Sequence, residues 1–312
     1  MKRVTDKKET SLVPVVPAEF ASLLPTVTAP VTYEFVVDGV CQAIASGLRR
    51  AVLSEIPVKT LTFSEFVCTD PHFKLEDYVL VRVRSIPLMQ NVSPDSEFEL
   101  NVVNGTAAPM TVYSSSFVQT KGKPGRWFDE TIPIVTLAPS RSIKLGGVTV
   151  ISGYETTHGT FCAVDAATAE CLDVIPLNAY ENVGVSSSVA DPRRHRIRFN
   201  TSGTMPPTQI VKLAAGEIKR RLSTIRDLLY TMTLVDGAYC LVVPGENDTT
   251  GQIITKMTLE LYADAICVPY VSPTNKQLTL RVVAPDSSVA TDWLTSAIEA
   301  ANGILDEIAA EF

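Results

Sequence analysis

The sequence predicts an α+β fold made of two half-domains of like plan that pair within one chain, with a mostly β module inserted into the first. Three observations carry this expectation. A strand, an amphipathic helix, further strand and a long amphipathic helix occur early in the chain and recur over residues 231–312. Residues 67–189 instead hold short Val/Thr-rich runs broken by Pro and Gly, with no helical period. Apolar residues make up 46% of the 312, enough for a substantial core. The expected units are an N-terminal extension (1–30), a first pairing half (31–66 with 190–230), the inserted β-rich module (67–189) and a second pairing half (231–312).

The elements follow in order. Residues 12–31 are fairly apolar behind Lys2, Arg3, Lys7 and Lys8, like a leader peptide. Pro14, Pro17, Pro25 and Pro30 and the acid Glu19 interrupt them, so an extended tail packed loosely on the domain or a partner is expected. Val31 to Val37 reads as a strand. Asp38 is placed to cap the helix that follows. In that helix Val40, Ala43, Ile44, Gly47, Leu48 and Ala51 recur at spacings of three and four. Arg49 and Arg50 fall near its end, where the helix dipole favours cations, and Pro57 stops it. Lys59 to Phe66 is strand-like.

The module offers five strands: Tyr78 to Val83, Phe98 to Val103, Met110 to Tyr113, Ile132 to Leu137 and Ile143 to Ile151. Gln119 to Trp127 reads as an exposed loop. Arg193 to Arg198 alternates arginine with His195 and Ile197, which suits an edge or surface strand with a solvated face. A helix then runs to about residue 229, with Ile210, Val211, Ala214, Ile218, Leu222 and Ile225 on its apolar face and Lys219, Arg220 and Arg221 elsewhere. Asp236-Gly237 marks a hairpin turn. Asn247-Asp248-Thr249 is a turn and cap before a helix from about 250 to 263. Strands 265–268 and 277–283 precede a last helix from Ser287 to about Ile308, with Trp293, Ala297, Ile298, Ala301 and Leu305 on its face.

Composition narrows the function. The formal charge is −7, so a broad phosphate-gripping face is not expected. The six cysteines stand at least nine residues apart, which excludes a Cys-x-x-Cys pair and zinc-finger spacing. They read as buried free thiols in a reducing, intracellular compartment. His72, His158 and His195 lie far apart in sequence. No stretch past the start is long and apolar enough to span a membrane. No Gly-rich phosphate loop or nucleophile elbow is present.

The segment Ala43-Ile44-Ala45-Ser46-Gly47-Leu48-Arg49-Arg50-Ala51-Val52-Leu53-Ser54-Glu55-Ile56-Pro57 resembles the signature helix of the alpha-like subunits of multisubunit DNA-dependent RNA polymerases. Tyr78-Val79-Leu80 through Ile86-Pro87-Leu88 and Ser202-Gly203-Thr204-Met205-Pro206-Pro207 through Ile210-Val211 are similar to later family segments. Gly245-Glu246-Asn247-Asp248-Thr249-Thr250-Gly251-Gln252-Ile253-Ile254, Val268-Pro269-Tyr270 and Leu278 to Val282 resemble the small partner, the eleventh subunit of the eukaryotic enzyme. The chain therefore resembles a fusion of the third-largest and the small alpha-like subunits, an arrangement known from large DNA viruses of eukaryotes.

The resemblance implies the alpha-like dimerisation fold as an intramolecular pseudo-dimer, monomeric by itself. It implies a non-catalytic assembly subunit whose partners are the two largest polymerase subunits and a small zinc-ribbon-like subunit. DNA would be met only through the complex, in a virion and in host cytoplasm or nucleus if the source is viral. The expected pseudo-dimer interface is Val40, Ile44, Gly47, Leu48, Ala51, Gly251, Ile253, Ile254, Met257, Trp293 and Ile298. Arg49 and Arg50 are expected to contact a large subunit. Ser46 replaces the family's Asn, and Thr250 and Thr255 replace its Leu and Arg, so the second helix should be the weaker anchor. The family's metal-binding cysteine clusters are not matched in the module, so no metal or other cofactor is expected in this chain.

Two other readings compete. A β-rich viral structural protein would fit the module alone. An independent cysteine-dependent hydrolase would need Cys162 as nucleophile, with His158, Asp165 and Glu170 around it.

Overall fold

A computed structural model describes residues 3–11, 31–73, 76–173, 193–272, 274–275 and 277–312. Most of the N-terminal extension, at 12–30, and the end of the module, at 174–189, lie outside the described residues.

The fold is mixed α+β. Its first sheet holds β1 (Val4–Ser11), β2 (Val31–Asp38), β10 (Val164–Cys171) and β11 (Arg194–Thr201), in the order β1-β2-β11-β10. A second sheet holds β12 (Thr233–Val235), β13 (Ala238–Pro244), β14 (Ile266–Ser272) and β15 (Gln277–Val283), in the order β12-β13-β15-β14. Every pairing in both is antiparallel. Strand for strand, the two orders correspond. Helix α1 (Gln42–Ser54) follows β2 as a second helix, Asp248–Leu261, follows β13. A long helix, Pro207–Asp227, follows β11 as another, Ser287–Ala310, follows β15.

Between them in chain order lies α2 (Glu76–Arg84), so the long helix after β11 is α3, the helix after β13 is α4 and the last is α5. Helix α1 lies on β10 and β11, and α4 lies on β14 and β15. Helix α1 packs on α4 and α3, and α5 packs on α3 and α4. One continuous core runs through both sheets and all four helices, from Phe35 and Phe199 to Leu280 and Ile298.

The rest of the chain has its own core around Leu61, Phe98, Leu100, Leu137, Ile143 and Leu145. Its main sheet holds β3 (Val58–Thr62), β4 (Glu65–Cys68), β5 (Glu97–Val103), β7 (Phe117–Lys121) and β9 (Ser142–Gly153), with both β3 and β4 paired to β9. A two-strand ribbon is made by β6 (Met110–Tyr113) and β8 (Pro133–Leu137). Strand pairing thus crosses the boundaries read from sequence: β3 joins the module's sheet, and β10 joins that of the first half.

Several local expectations need correction. Tyr78 to Val83 belongs to helix α2, not to a strand. Its first turn carries Glu76 and Asp77 and its last Arg82 and Arg84, which complements the helix dipole. Val79 and Val83 are buried one turn apart, and Arg82 reaches the Tyr78 hydroxyl at 3.1 Å. Asp38 does not cap α1. It ends β2, Gly39 turns the chain at φ +70°, and extended Cys41 precedes the helix without a side-chain cap. Arg49 and Arg50 lie before the last turn of α1.

Strand β11 is not an edge, since β2 and β10 flank it, though its alternation holds: His195, Ile197 and Phe199 are buried. Gln119 to Trp127 begins within β7, and Trp127 packs partly into the module core. The tail is not loose at its start, for residues 4–11 form β1 on the edge of β2. Arg3 pairs with Glu307, and Lys7 donates to the carbonyl of Glu311 and sits 4.3 Å from the Phe312 ring centre. The edge strand of the first sheet therefore grips the end of α5. The cysteines are all free, but only Cys41, Cys240 and Cys267 are buried.

The second-half turns read as expected. Asp236 and Gly237 both take positive φ, +51° and +76°, as a tight two-residue hairpin requires. Asn247 caps α4 by accepting from the Thr249 amide at 2.9 Å.

Leu48 is fully buried in the shared core. Leu48→Asp should therefore lower unfolding free energy in urea by roughly 3 kcal/mol or more, by stranding a carboxylate without a partner. Ser46→Asp, at a half-buried position, should cost far less.

Candidate functional site

The region where α1 meets α4 is the candidate site. Gly47 makes the approach close. A Cβ there would lie 2.9 Å from Ile253 Cδ1 and 3.3 Å from Thr249 Cγ2, both on the other helix. A larger residue at 47 would push the helices apart. Val40, Ile44, Leu48, Ala51, Ile253, Ile254, Met257 and Ile298 are all buried in the continuous core. Gly251 faces its own sheet, where a Cβ would meet Leu278 at 2.7 Å and Pro269 at 3.0 Å. Trp293 is half-buried and stacks on Tyr262 of the same half, with ring centres 5.3 Å apart. Trp293 also packs against the continuous core.

Beside Gly47 the two helices leave a cleft of about 350 Å³. Gln42, Ser46 and Arg50 line it from α1, and Asp248, Gln252 and Lys256 from α4. Arg50 crosses it, donating from Nη1 to Thr249 Oγ1 at 3.1 Å. Arg49 is half-buried and makes no hydrogen bond or ion pair among the described residues. The position matching it on α4 is Thr255, which is buried against Cys267 at 3.5 Å.

Sequence reasoning missed the strongest feature of the site. Arg221 of α3 is buried rather than on an outer face. Its Nε donates to Glu246 Oε1 at 3.1 Å and Oε2 at 3.0 Å, and its Nη2 to Glu246 Oε2 at 2.6 Å and Asn247 Oδ1 at 2.8 Å. Its Nη1 donates to Glu55, the residue that ends α1. Asn247 Nδ2 donates to the other Glu55 oxygen at 3.2 Å, and Thr250 Oγ1 to Glu246 Oε2 at 2.9 Å. Burial pulls the Arg221 pKa down, but hydrogen bonds and charge from Glu246 and Glu55 outweigh it and leave it raised. The signal was in the spacing, since Arg221 lies three residues after Ile218 and four before Ile225. It shares their buried face.

The hydrolase reading finds no matching geometry. His158 is exposed and its Nδ1 meets Thr160 Oγ1 at 2.9 Å, while Cys162 Sγ donates to the carbonyl of Val164 at 2.9 Å. Burial pushes the Cys162 thiol pKa up, which disfavours the thiolate a nucleophile needs. No group of His, Cys, Asp and Glu able to hold a metal ion occurs among the described residues. No helix among them is long and apolar enough to cross a membrane.

Two measurements follow from this geometry. Arg221→Met keeps the volume but leaves two carboxylates without their cation, so it should lower unfolding free energy by about 3–5 kcal/mol. A loss under 1 kcal/mol in urea titration would mean the network is not closed as described. Iodoacetamide at pH 7 should label exposed Cys171 well before Cys162. Faster labelling of Cys162, read by peptide mass, would reinstate an activated thiol.

Comparison with known proteins agrees with this architecture. The RNA polymerase Rpb3/Rpb11 dimerisation domain matches residues 34–222, from β2 through α3. DNA-directed RNA polymerase subunit Rpo3 of Natronomonas pharaonis is 26% identical over 111 residues, which are 36% of this chain and 44% of that protein. The chain thus spans under half the length of that curated relative. With a match over more than half of the residues, and the paired helices and sheets in place, the chain belongs to the RNA polymerase Rpb3/Rpb11 dimerisation domain family.

Proposed function

We propose that this protein is a non-catalytic assembly subunit of a DNA-directed RNA polymerase that carries both alpha-like halves in one chain. One observation carries the reading: the sheet orders β1-β2-β11-β10 and β12-β13-β15-β14 correspond, and each sheet is followed by helices that meet in one core. The family match ends at residue 222, within α3, and the elements from β12 onward supply the second copy of that plan. The units are a first half built on 31–66 with 190–230, a module inserted at 67–189 whose sheet also takes in β3 and β4, and a second half of 231–312. Strand β10 pairs with the first sheet, within the first half's reach. The pseudo-dimer contact centres on Gly47 against Ile253, with Ile44, Leu48, Ala51, Ile254, Met257 and Ile298 around it.

Such a subunit needs shape and a few anchoring cations rather than an acid–base pair. Nucleotidyl transfer belongs to the large subunits it gathers, and a small zinc-ribbon-like subunit completes its set of partners. The first half offers the stronger anchor. Arg49 has no hydrogen-bond or ion-pair partner among the described residues, whereas its match Thr255 is buried against Cys267. Arginine suits the role because its planar fork makes paired bonds at a desolvated surface. Arg50 is the lesser contact, since one of its nitrogens is held by Thr249.

Arg49→Ala should leave the melting temperature within about a degree of wild type. It should weaken co-purification with the second-largest polymerase subunit at least tenfold, about 1.4 kcal/mol. Thr255→Ala should not weaken it. Equal recovery of wild type and both variants from co-expression would refute the anchoring role.

A further inference from the structure

The two sheets can be matched residue by residue. Strand β2 ends at Asp38 with α1 starting at Gln42, and β13 ends at Pro244 with α4 starting at Asp248. The equal spacing matches Glu34 with Cys240 and Val36 with Val242. The pairing registers carry the match onward. Arg196 lies opposite Val36, and Thr279 opposite Val242; Glu170 lies opposite Arg196, and Tyr270 opposite Thr279. On the neighbouring rung Arg198 matches Arg281, and Thr168 matches Val268. All these residues stand on the sheet faces turned away from the shared core.

The two outer faces differ sharply in chemistry. In the first half Arg196 pairs with Glu34 and with Glu170, both at 3.3 Å, and Arg194 with Asp6 at 3.7 Å. Those pairs neutralise most of the charge on that face, although Arg198, the match of Arg281, has no ion pair among the described residues. In the second half the same three positions hold Cys240, Thr279 and Tyr270. Around them Val242 is 43% exposed, Ile266 55%, Val268 51%, Tyr270 58% and Val283 44%. Arg281 stands exposed among them and has no carboxylate partner among the described residues. Scattered exposed apolar residues need no explanation, but a contiguous patch on three adjacent strands does.

We propose that the outer face of β13, β14 and β15 docks a different polypeptide, through an apolar surface carrying a carboxylate that meets Arg281. Charge selects this occupant. The patch carries one unpaired cation and no acid, and an aromatic and an arginine side by side are the residue types that anchor interfaces. A second copy of the chain is disfavoured. Two-fold pairing through this face would set Arg281 near its own image, between molecules that each carry a charge of −7. The site is separate from the contact proposed at Arg49, so either can fail without the other.

The test uses p-benzoylphenylalanine in place of Tyr270 in the full chain, inside its native assembly, with the same residue in place of Glu170 as the matched control. On irradiation, position 270 should join to another polypeptide at a segment containing Asp or Glu, at least tenfold more than position 170. Arg281→Glu should reduce that adduct at least tenfold, and Arg281→Gln by less, with melting temperatures unchanged. Equal yields at 270 and 170 would overturn the proposal. So would an adduct between two copies, an adduct to residues of the same chain, or one indifferent to Arg281→Glu.

Discussion

Arg221 ties together the three segments on which the pairing of halves depends. It comes from α3, while its partners end α1 at Glu55 and precede α4 at Glu246 and Asn247. The network crosses from one half to the other. Buried ion pairs give little net stability, because desolvation offsets most of the attraction. Their effect is on geometry. A guanidinium fork bound on three sides permits one placement of the α1 end relative to the α4 cap. Hydrophobic contact among Ile44, Leu48, Ile253 and Ile254 would tolerate sliding, and the Arg221 network does not.

The halves share a plan but have specialised. At the helix contact the matched positions are Gly47 and Ile253, so a small residue on one side receives a large one from the other. A symmetric pair would place two equal residues there. At the outer faces a charged surface, largely paired through Arg196, is matched by an apolar patch with a single arginine. At the ends of the paired helices, Arg49 is matched by a threonine turned to its own core. Each difference breaks the two-fold likeness where a contact is seen or proposed, while the strand order is kept where the fold is made.

Much of this was legible in the sequence, for reasons that mark the limits. Helical periodicity and the Asn247 cap located α1, α3, α4 and α5 because packing demand and local chemistry agreed there. The hairpin at Asp236-Gly237 followed from the φ the turn requires. Helix α2 was hidden because Val79, Val81 and Val83 alternate like a strand, while its end charges and one-turn contacts favour a helix. Arg221 was hidden because a charge on an apolar stripe looks like an outer residue until its partners are brought in from positions 55, 246 and 247. Strand β1 and the crossing of β10 out of the module depend on long-range pairing, which local pattern does not encode.

Joining two pairing halves in one chain changes what their interface must supply. Separate subunits must offset the translational and rotational entropy of association, which costs several kcal/mol. A tether replaces that cost with a loop closure that grows only slowly with length. The link from the first half to the second is short, since α3 ends at Asp227 and β12 begins at Thr233. The contact between halves can therefore include a polar cleft and a buried ion network in place of a wholly apolar seam, because affinity is no longer limiting and register is. Chain ends add to the closure: β1 pairs with the first sheet while Arg3 and Lys7 hold the last turn of α5 in the second half. With the internal pairing secured by covalent connection at one end and this clasp at the other, the surface chemistry of each half is not needed to hold the pairing together and is free to diverge.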